Sequence, residues 1–206
     1  MLRATLATLL GLAMTAHADD KKPEPGKAIP ETTPLELTIK GDTTKYTLDL
    51  GGKTAEEFEK LLAEVKDGKG RAPKPPEVKL TLVVKNTSDK AIKVWAKGDP
   101  VVLDLELKGK GAVSVAPRLA FTADYRLPQA TDLEAGKTME IPLGALVCGF
   151  RGASKYTYWT QPGEYELIAT WKTGVSPAPK GAMDNDGFGV VTVSSKAFKI
   201  TVEEKK

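Results

Sequence analysis

The chain has 206 residues, of which 41% are hydrophobic, 28% charged and 6% aromatic. This ordinary globular composition excludes a mostly disordered chain, a collagen-like repeat and a multi-span membrane protein. The formal net charge of +3 supplies none of the electrostatic attraction on which nucleic-acid binding depends.

Residues 1–18 read as a secretory signal peptide. Arg3 supplies the basic start, Leu6 to Met14 the apolar stretch, and Ala16-His17-Ala18 the small-x-small cleavage site. The apolar stretch falls short of the ~20 residues that a membrane-spanning helix needs. The expectation is cleavage after Ala18, a secreted or periplasmic protein, and no membrane span afterwards. No cysteine follows the apolar stretch, so a lipid anchor is not expected. Cleavage removes Arg3 and lowers the net charge by one. It also removes His17, the sole histidine. Imidazole is the usual general base near neutral pH and the commonest metal ligand. Its loss excludes Ser-His-Asp and Cys-His catalysis and His-ligated zinc from the mature chain. No cofactor or metal is expected.

Residues 19–34 hold Pro23, Pro25, Pro30 and Pro34 among charged and small side chains and read as a flexible Pro-rich leader. Leu35-Glu36-Leu37-Thr38-Ile39-Lys40 alternates strictly, and Tyr46-Thr47-Leu48-Asp49-Leu50 alternates again after Gly41-Asp42-Thr43-Thr44. Two such runs across a short polar turn predict a β-hairpin. One helix follows. Thr54 and Glu57 form a capping box, and Phe58, Leu61, Leu62 and Val65 make a single apolar stripe. Gly68 is a plausible stop. Residues 35–76 are expected to dock, as hairpin plus helix, on a larger unit spanning 77–206, because about 35 residues bury too little surface alone.

Beyond the Pro/Gly/Lys linker at 67–77, short alternating runs succeed one another. Val78, Leu80, Leu82 and Val84 share a face, and Asn86-Thr87-Ser88-Asp89 turns the chain toward Ile92 and Val94. Asn86-Thr87-Ser88 matches the N-glycosylation sequon, but the expectation is a hairpin turn. Val101, Leu103, Leu105 and Leu107 alternate, and Val113-Ser114-Val115 follows a Gly-Lys-Gly break. Met139, Ile141 and Leu143 form the next run, then Tyr165, Leu167, Ala169 and Trp171, then Val191 and Val193, and finally Phe198, Ile200 and Val202. Many half-buried strands with turns between them predict an all-β protein. With no further helix-length segment, a parallel α/β sheet is disfavoured. Cys148 is the sole cysteine, so no internal disulfide can form. Its apolar neighbours predict a buried, inert thiol.

Three stretches carry a resemblance: Leu80 to Ile92, Leu133 to Ile141 and Pro162 to Trp171. They resemble immunoglobulin-like or fibronectin-type-III-like modules of exported bacterial proteins, and more faintly the BsuPI-type proteinase-inhibitor domain. The resemblance implies an immunoglobulin-like antiparallel β-sandwich carrying the N-terminal hairpin and helix. Tyr165, just after Pro162-Gly163, is placed where such sandwiches have a tyrosine corner, its hydroxyl tying back to the preceding turn. The cysteine pair of antibody domains is missing.

Two segments stand out for function. Residues 144–162 read as an irregular connection holding Phe150, Arg151, Tyr156, Tyr158, Trp159 and Gln161. Flat aromatic faces beside a guanidinium suit a sugar or peptide, so Arg151, Tyr156, Tyr158 and Trp159 are the candidate ligand-binding residues. The competing reading packs these aromatics into the sandwich or makes them a strand. Lys172 to Gly189 reads as a second long loop, in which Asp184-Asn185-Asp186-Gly187 is expected to form an Asx-type turn rather than a calcium loop. For catalysis, Asp99, Asp104, Asp124 and Asp132 are carboxylates by type, but no spacing singles out a pair, so no catalytic residue is assigned. The sequence thus predicts an exported, non-enzymatic binding or structural module, with an envelope protein, peptide or glycan as partner and no nucleic acid. Its alternatives are a secreted protease inhibitor working through the Pro-rich loop and a carboxylate-based hydrolase.

Overall fold

A computed structural model describes residues 33–116, 125–150, 153–182 and 184–205. The expected signal peptide, the leader through residue 32, Arg151 and Asp124 lie outside the described residues. The described residues are mostly β, with one helix and two sheets. No helix among the described residues is long and apolar enough to cross a membrane.

The smaller sheet has three antiparallel strands. β1 (Leu35–Gly41) and β8 (Thr138–Ala145) flank β3 (Glu77–Asn86). The larger sheet is organised around the 14-residue β11 (Gly163–Ser176). One edge of β11 pairs along residues 166–172 with β5 (Val102–Lys108), and at Val175 and Ser176 with β4 (Ile92–Lys97). The other edge pairs with β14 (Phe198–Glu203) and then with β13 (Phe188–Ser194). From β5 the sheet continues through β9 (Val147–Phe150) and β10 (Ala153–Trp159) to β6 (Ala112–Val115). β7 (Gln129–Leu133) lies beside β4, β12 (Asp184–Asn185) beside β13, and β2 (Lys45–Thr47) runs parallel to β14.

The core follows from the alternation. Odd positions 165 to 175 of β11 are all buried, and the apolar ones meet Leu35, Leu37 and Ile39 of β1 and Leu80, Leu82 and Val84 of β3 in one cluster spanning both sheets. At the start of β11 the Tyr165 hydroxyl donates to the Gln161 carbonyl at 2.7 Å, the tie expected of a tyrosine corner.

Two expectations are corrected here. Residues 35–40 and 46–50 do not form a hairpin: β1 pairs with β3 in the small sheet and β2 with β14 in the large one. At Gly41 an added Cβ would lie 2.5 Å from Leu80 Cδ2, so glycine lets β1 lie close against β3. Thr43 Oγ1 then accepts from the Lys45 N–H at 3.0 Å as the chain turns toward the second sheet. All seven β1 residues pair with β3, more bonding than a partner of β2's three residues could supply. The long loop expected over 172–189 is also shorter. β11 runs to Ser176 and β13 begins at Phe188. Within it, Asp184 Oδ1 accepts from the Gly187 N–H at 2.8 Å, and Asp186 and Gly187 both have positive φ (52° and 80°). This is a two-residue Asp-Gly turn, the kind that matches the twist of the strands it joins.

The helix α1 (Ala55–Lys66) has the expected cap. Thr54 Oγ1 accepts from the Glu57 N–H at 3.2 Å, and Glu57 Oε2 accepts from the Thr54 N–H at 2.9 Å. Phe58, Leu62 and Val65 are buried against Val115 of β6 and Tyr158 of β10, forming a second, smaller core. Thr54→Ala is expected to cost about 1 kcal/mol, measured by urea unfolding. Unchanged stability would mean that packing alone holds this end of the helix.

Asn86 is fully buried and organises the β3–β4 turn. Its side-chain amide donates to the carbonyls of Lys90 (2.8 Å), Leu133 (2.9 Å) and Glu134 (3.2 Å), and its Oδ1 accepts from the Ser88 N–H (2.9 Å) and hydroxyl (2.7 Å). The sequon is therefore a structural turn whose acceptor nitrogen is committed inside the protein.

Candidate functional site

The segment expected to be an irregular connection is a strand pair: β9 and β10 run antiparallel, with Lys155 opposite Cys148. Successive strand residues face opposite ways, which divides the predicted aromatics. Tyr156 and Tyr158 face α1, where Tyr158 meets Phe58 edge-on at 5.7 Å between ring centroids. Trp159 faces the main core, at 5.5 Å from Tyr46 and 6.3 Å from Tyr165. Tyr158 is 1% exposed and Trp159 4%, and Tyr156 is half-buried. The expected contiguous aromatic surface is thus absent from these residues, because each face of β10 is covered by its own hydrophobic cluster. Arg151 lies outside the described residues.

The two buried rings nevertheless sit at the bottom of a groove of about 430 Å³, a size within the usual range for ligand pockets. Its walls are the chain from Thr47 to Lys53, the helix at Phe58 and Leu61, and Pro73-Lys74-Pro75-Pro76-Glu77. Three local features hold the walls. The Tyr158 hydroxyl donates to the Pro73 carbonyl at 2.7 Å, fixing the proline segment. Burial pushes the Tyr158 phenol up from its usual value, so it remains a neutral donor at ordinary pH. Asp49 Oδ1 accepts from the Gly51 N–H at 3.0 Å, shaping the loop into the helix. Thr160, fully buried, donates to Glu59 Oε1 at 2.9 Å and ties α1 to the end of β10.

The rim carries both signs. Lys53 and Asp49 lie on one wall, and Lys74 and Glu77 form an ion pair on the other. Their shared hydrogen bond raises the Lys74 ammonium and lowers the Glu77 carboxyl; both are exposed, so the pair adds little stability. Sequence reasoning singled out Tyr158 and Trp159 but missed Tyr46, Phe58 and the prolines. Those had been read as strand, helix stripe and linker, and no local pattern shows that three such segments converge.

The other described candidates lie on separate segments. Asp104 is ion-paired with Lys155, and Asp99 Oδ2 accepts from the Arg126 N–H at 2.9 Å. Asp132 lies on β7, opposite Lys93. Cys148 is buried, and its sulfur accepts from the Leu105 N–H at 3.2 Å. Burial pushes its thiol from 9.0 up to about 11, outweighing the Leu105 N–H and the nearby Lys155 charge. Because the folded value is raised, the thiol leaves stability unchanged below the unfolded value and lowers it as pH climbs from about 9 toward 11. Urea unfolding at pH 8 to 10.5 should show this decline, and Cys148→Ala should flatten it. A thiol reagent should react at pH 8 only after unfolding; fast labelling of the native protein would contradict the burial.

No protein-family model matches the chain, and no curated protein matches it in sequence.

Proposed function

We propose that this is an exported, non-enzymatic binding module of the cell envelope or exterior, built as an immunoglobulin-like sandwich with α1 laid across one end of its larger sheet. Export rests on the signal-like residues 1–18. The immunoglobulin-like reading rests on the three resembling stretches and is supported by the Tyr165 tie to Gln161.

The observation that carries the binding reading is the groove between α1 and the proline segment, with its aromatic floor and two-signed rim. A glycan would need open ring faces on which to stack, and Tyr158 and Trp159 are buried. An apolar side chain of a peptide suits the groove better. It would lie against the half-buried Leu50 and Leu61 while neighbouring charges meet Lys53, Asp49, Lys74 and Glu77. Selection from a displayed library of random heptapeptides tests this. Peptides should be enriched on the protein and lose binding to the Leu61→Arg variant, whose guanidinium fills the mouth from a half-exposed helix position. Equal enrichment on the variant, or none on either, would overturn the groove as the site.

A further inference from the structure

Away from the groove, a second surface combines a hydrophobic hollow with an open strand edge. The hollow, of about 900 Å³, is lined by Lys97, Val101, Tyr125, Arg126, Leu127 and Gln129, together with Gly98. Tyr125 is 61% exposed and Leu127 75%, the large hydrophobic side chains left open among the described residues. Such exposure normally carries a cost that a loop relieves by collapsing inward. Here the backbone is strapped in place. The Asp99 N–H donates to the Arg126 carbonyl at 3.0 Å, and the Arg126 N–H donates back to Asp99 Oδ2 at 2.9 Å. Gly98, at φ 112°, lets the chain pass so close that an added Cβ would lie 2.6 Å from Pro128 Cα.

The strand that follows has one partner among the described strands: β7 pairs with β4, and Gln129 to Asp132 are all exposed. An edge strand of this kind offers a row of unpaired N–H and C=O groups to an incoming extended segment. The lining of the hollow contains two cations and no carboxylate, and the one acid of β7, Asp132, lies toward the other end of the strand opposite Lys93, so the hollow favours an anionic visitor with apolar side chains.

We propose that β7 and the adjoining hollow form a docking site for an extended acidic-apolar peptide segment of a partner protein. The segment adds as a strand to the free edge of β7. Its apolar side chains lie against Tyr125, Leu127 and Val101, and its carboxylates meet Lys97 and Arg126. This site is independent of the groove at α1, and neither depends on the other.

The test titrates the isotope-labelled full chain, followed by amide NMR, with an eight-residue peptide alternating glutamate and valine. Three further probes are the lysine-valine counterpart, the acidic peptide N-methylated at alternate residues, and phosphatidylglycerol vesicles. The acidic peptide should shift the amides of residues 129–133. Affinity should fall about tenfold or more for the lysine peptide, for the N-methylated analogue, and for the Leu127→Asp and Arg126→Glu variants. Both variants alter exposed side chains, and their unfolding curves should match the parent. Absence of binding by the acidic peptide, equal binding by the lysine peptide, or undiminished binding by the N-methylated analogue would each overturn the proposal. So would attachment to the vesicles without binding of the peptide.

Discussion

Replacing Asn86 by alanine is expected to lower the unfolding free energy by about 3–5 kcal/mol, because buried polar groups left without partners cost about 1–3 kcal/mol each. One side chain here serves five groups. Removing it strands the carbonyls of Leu133 and Glu134 and takes the acceptor from Ser88, while the Lys90 carbonyl keeps the Ser88 hydroxyl as a donor at 2.9 Å. The backbone of the same residue joins this turn to the next, its N–H donating to Lys137 and its carbonyl accepting from Gly136. The damage should therefore reach the β7–β8 connection as well as the β3–β4 turn. Asn86→Asp discriminates the donor role from the volume. At neutral pH its carboxylate would face carbonyl oxygens, and the loss should exceed that of alanine. Burial raises the folded pKa of such a carboxyl, so the extra penalty begins above the unfolded value and shrinks as pH falls toward it. Urea unfolding at pH 7 and pH 4.5 reads both effects. A loss under 1 kcal/mol for alanine would show that water replaces the amide.

The second large effect is expected at Gly174, near the C-terminal end of β11. Its missing side chain is the seat of an indole. A Cβ built there would come within 2.7 Å of Trp95 Cζ3 and closer still to two other ring carbons. Trp95 is held from its other neighbours too. It stacks on Phe188 at 4.9 Å, and its carbonyl accepts from the buried Thr173 hydroxyl at 2.6 Å. The ring has no simple retreat, so Gly174→Ala should cost about 2–3 kcal/mol, in the upper range for overpacking. Trp95→Ala should cost about 3–5 kcal/mol through the cavity it leaves. The two losses should not add. With the indole gone, alanine at 174 meets no obstruction, and the double variant should be more stable than the sum predicts by about 2 kcal/mol. Strict additivity in thermal or urea unfolding would show that the clash is relieved elsewhere.

The parts of this fold that are local were legible in the sequence. The capping box at Thr54 and Glu57 involves residues three apart, and the apolar stripe of α1 repeats within two turns. The period-2 runs at 78–84, 101–107 and 165–171 each mark their own buried face, and the Tyr165 tie spans four residues. The misread hairpin shows where such reading stops. Nearness in the chain suggested that 35–40 would pair with 46–50, but strand pairing is decided by which edges can be saturated together. β3 offered β1 a full-length partner, from Leu35 opposite Asn86 to Gly41 opposite Leu80.

The candidate site marks the same boundary. In β10 Tyr158 and Trp159 stand on opposite faces of one strand, and no pattern within 144–162 tells whether either face is open. That depended on α1 crossing the outer face of β10 and on β2 bringing Tyr46 against Trp159 from the inner side. The sequence by itself determined the helix, most of the strands, the solitary buried thiol and the turn at Asn86, because the forces behind them act between near neighbours. The tertiary structure alone decided the partners of β1 and β2, the burial of the predicted aromatics and the convergence of prolines and rings into a groove. Those outcomes depend on contacts between segments as far apart in the chain as Lys45 and Thr201, which compete for the same limited apolar surface.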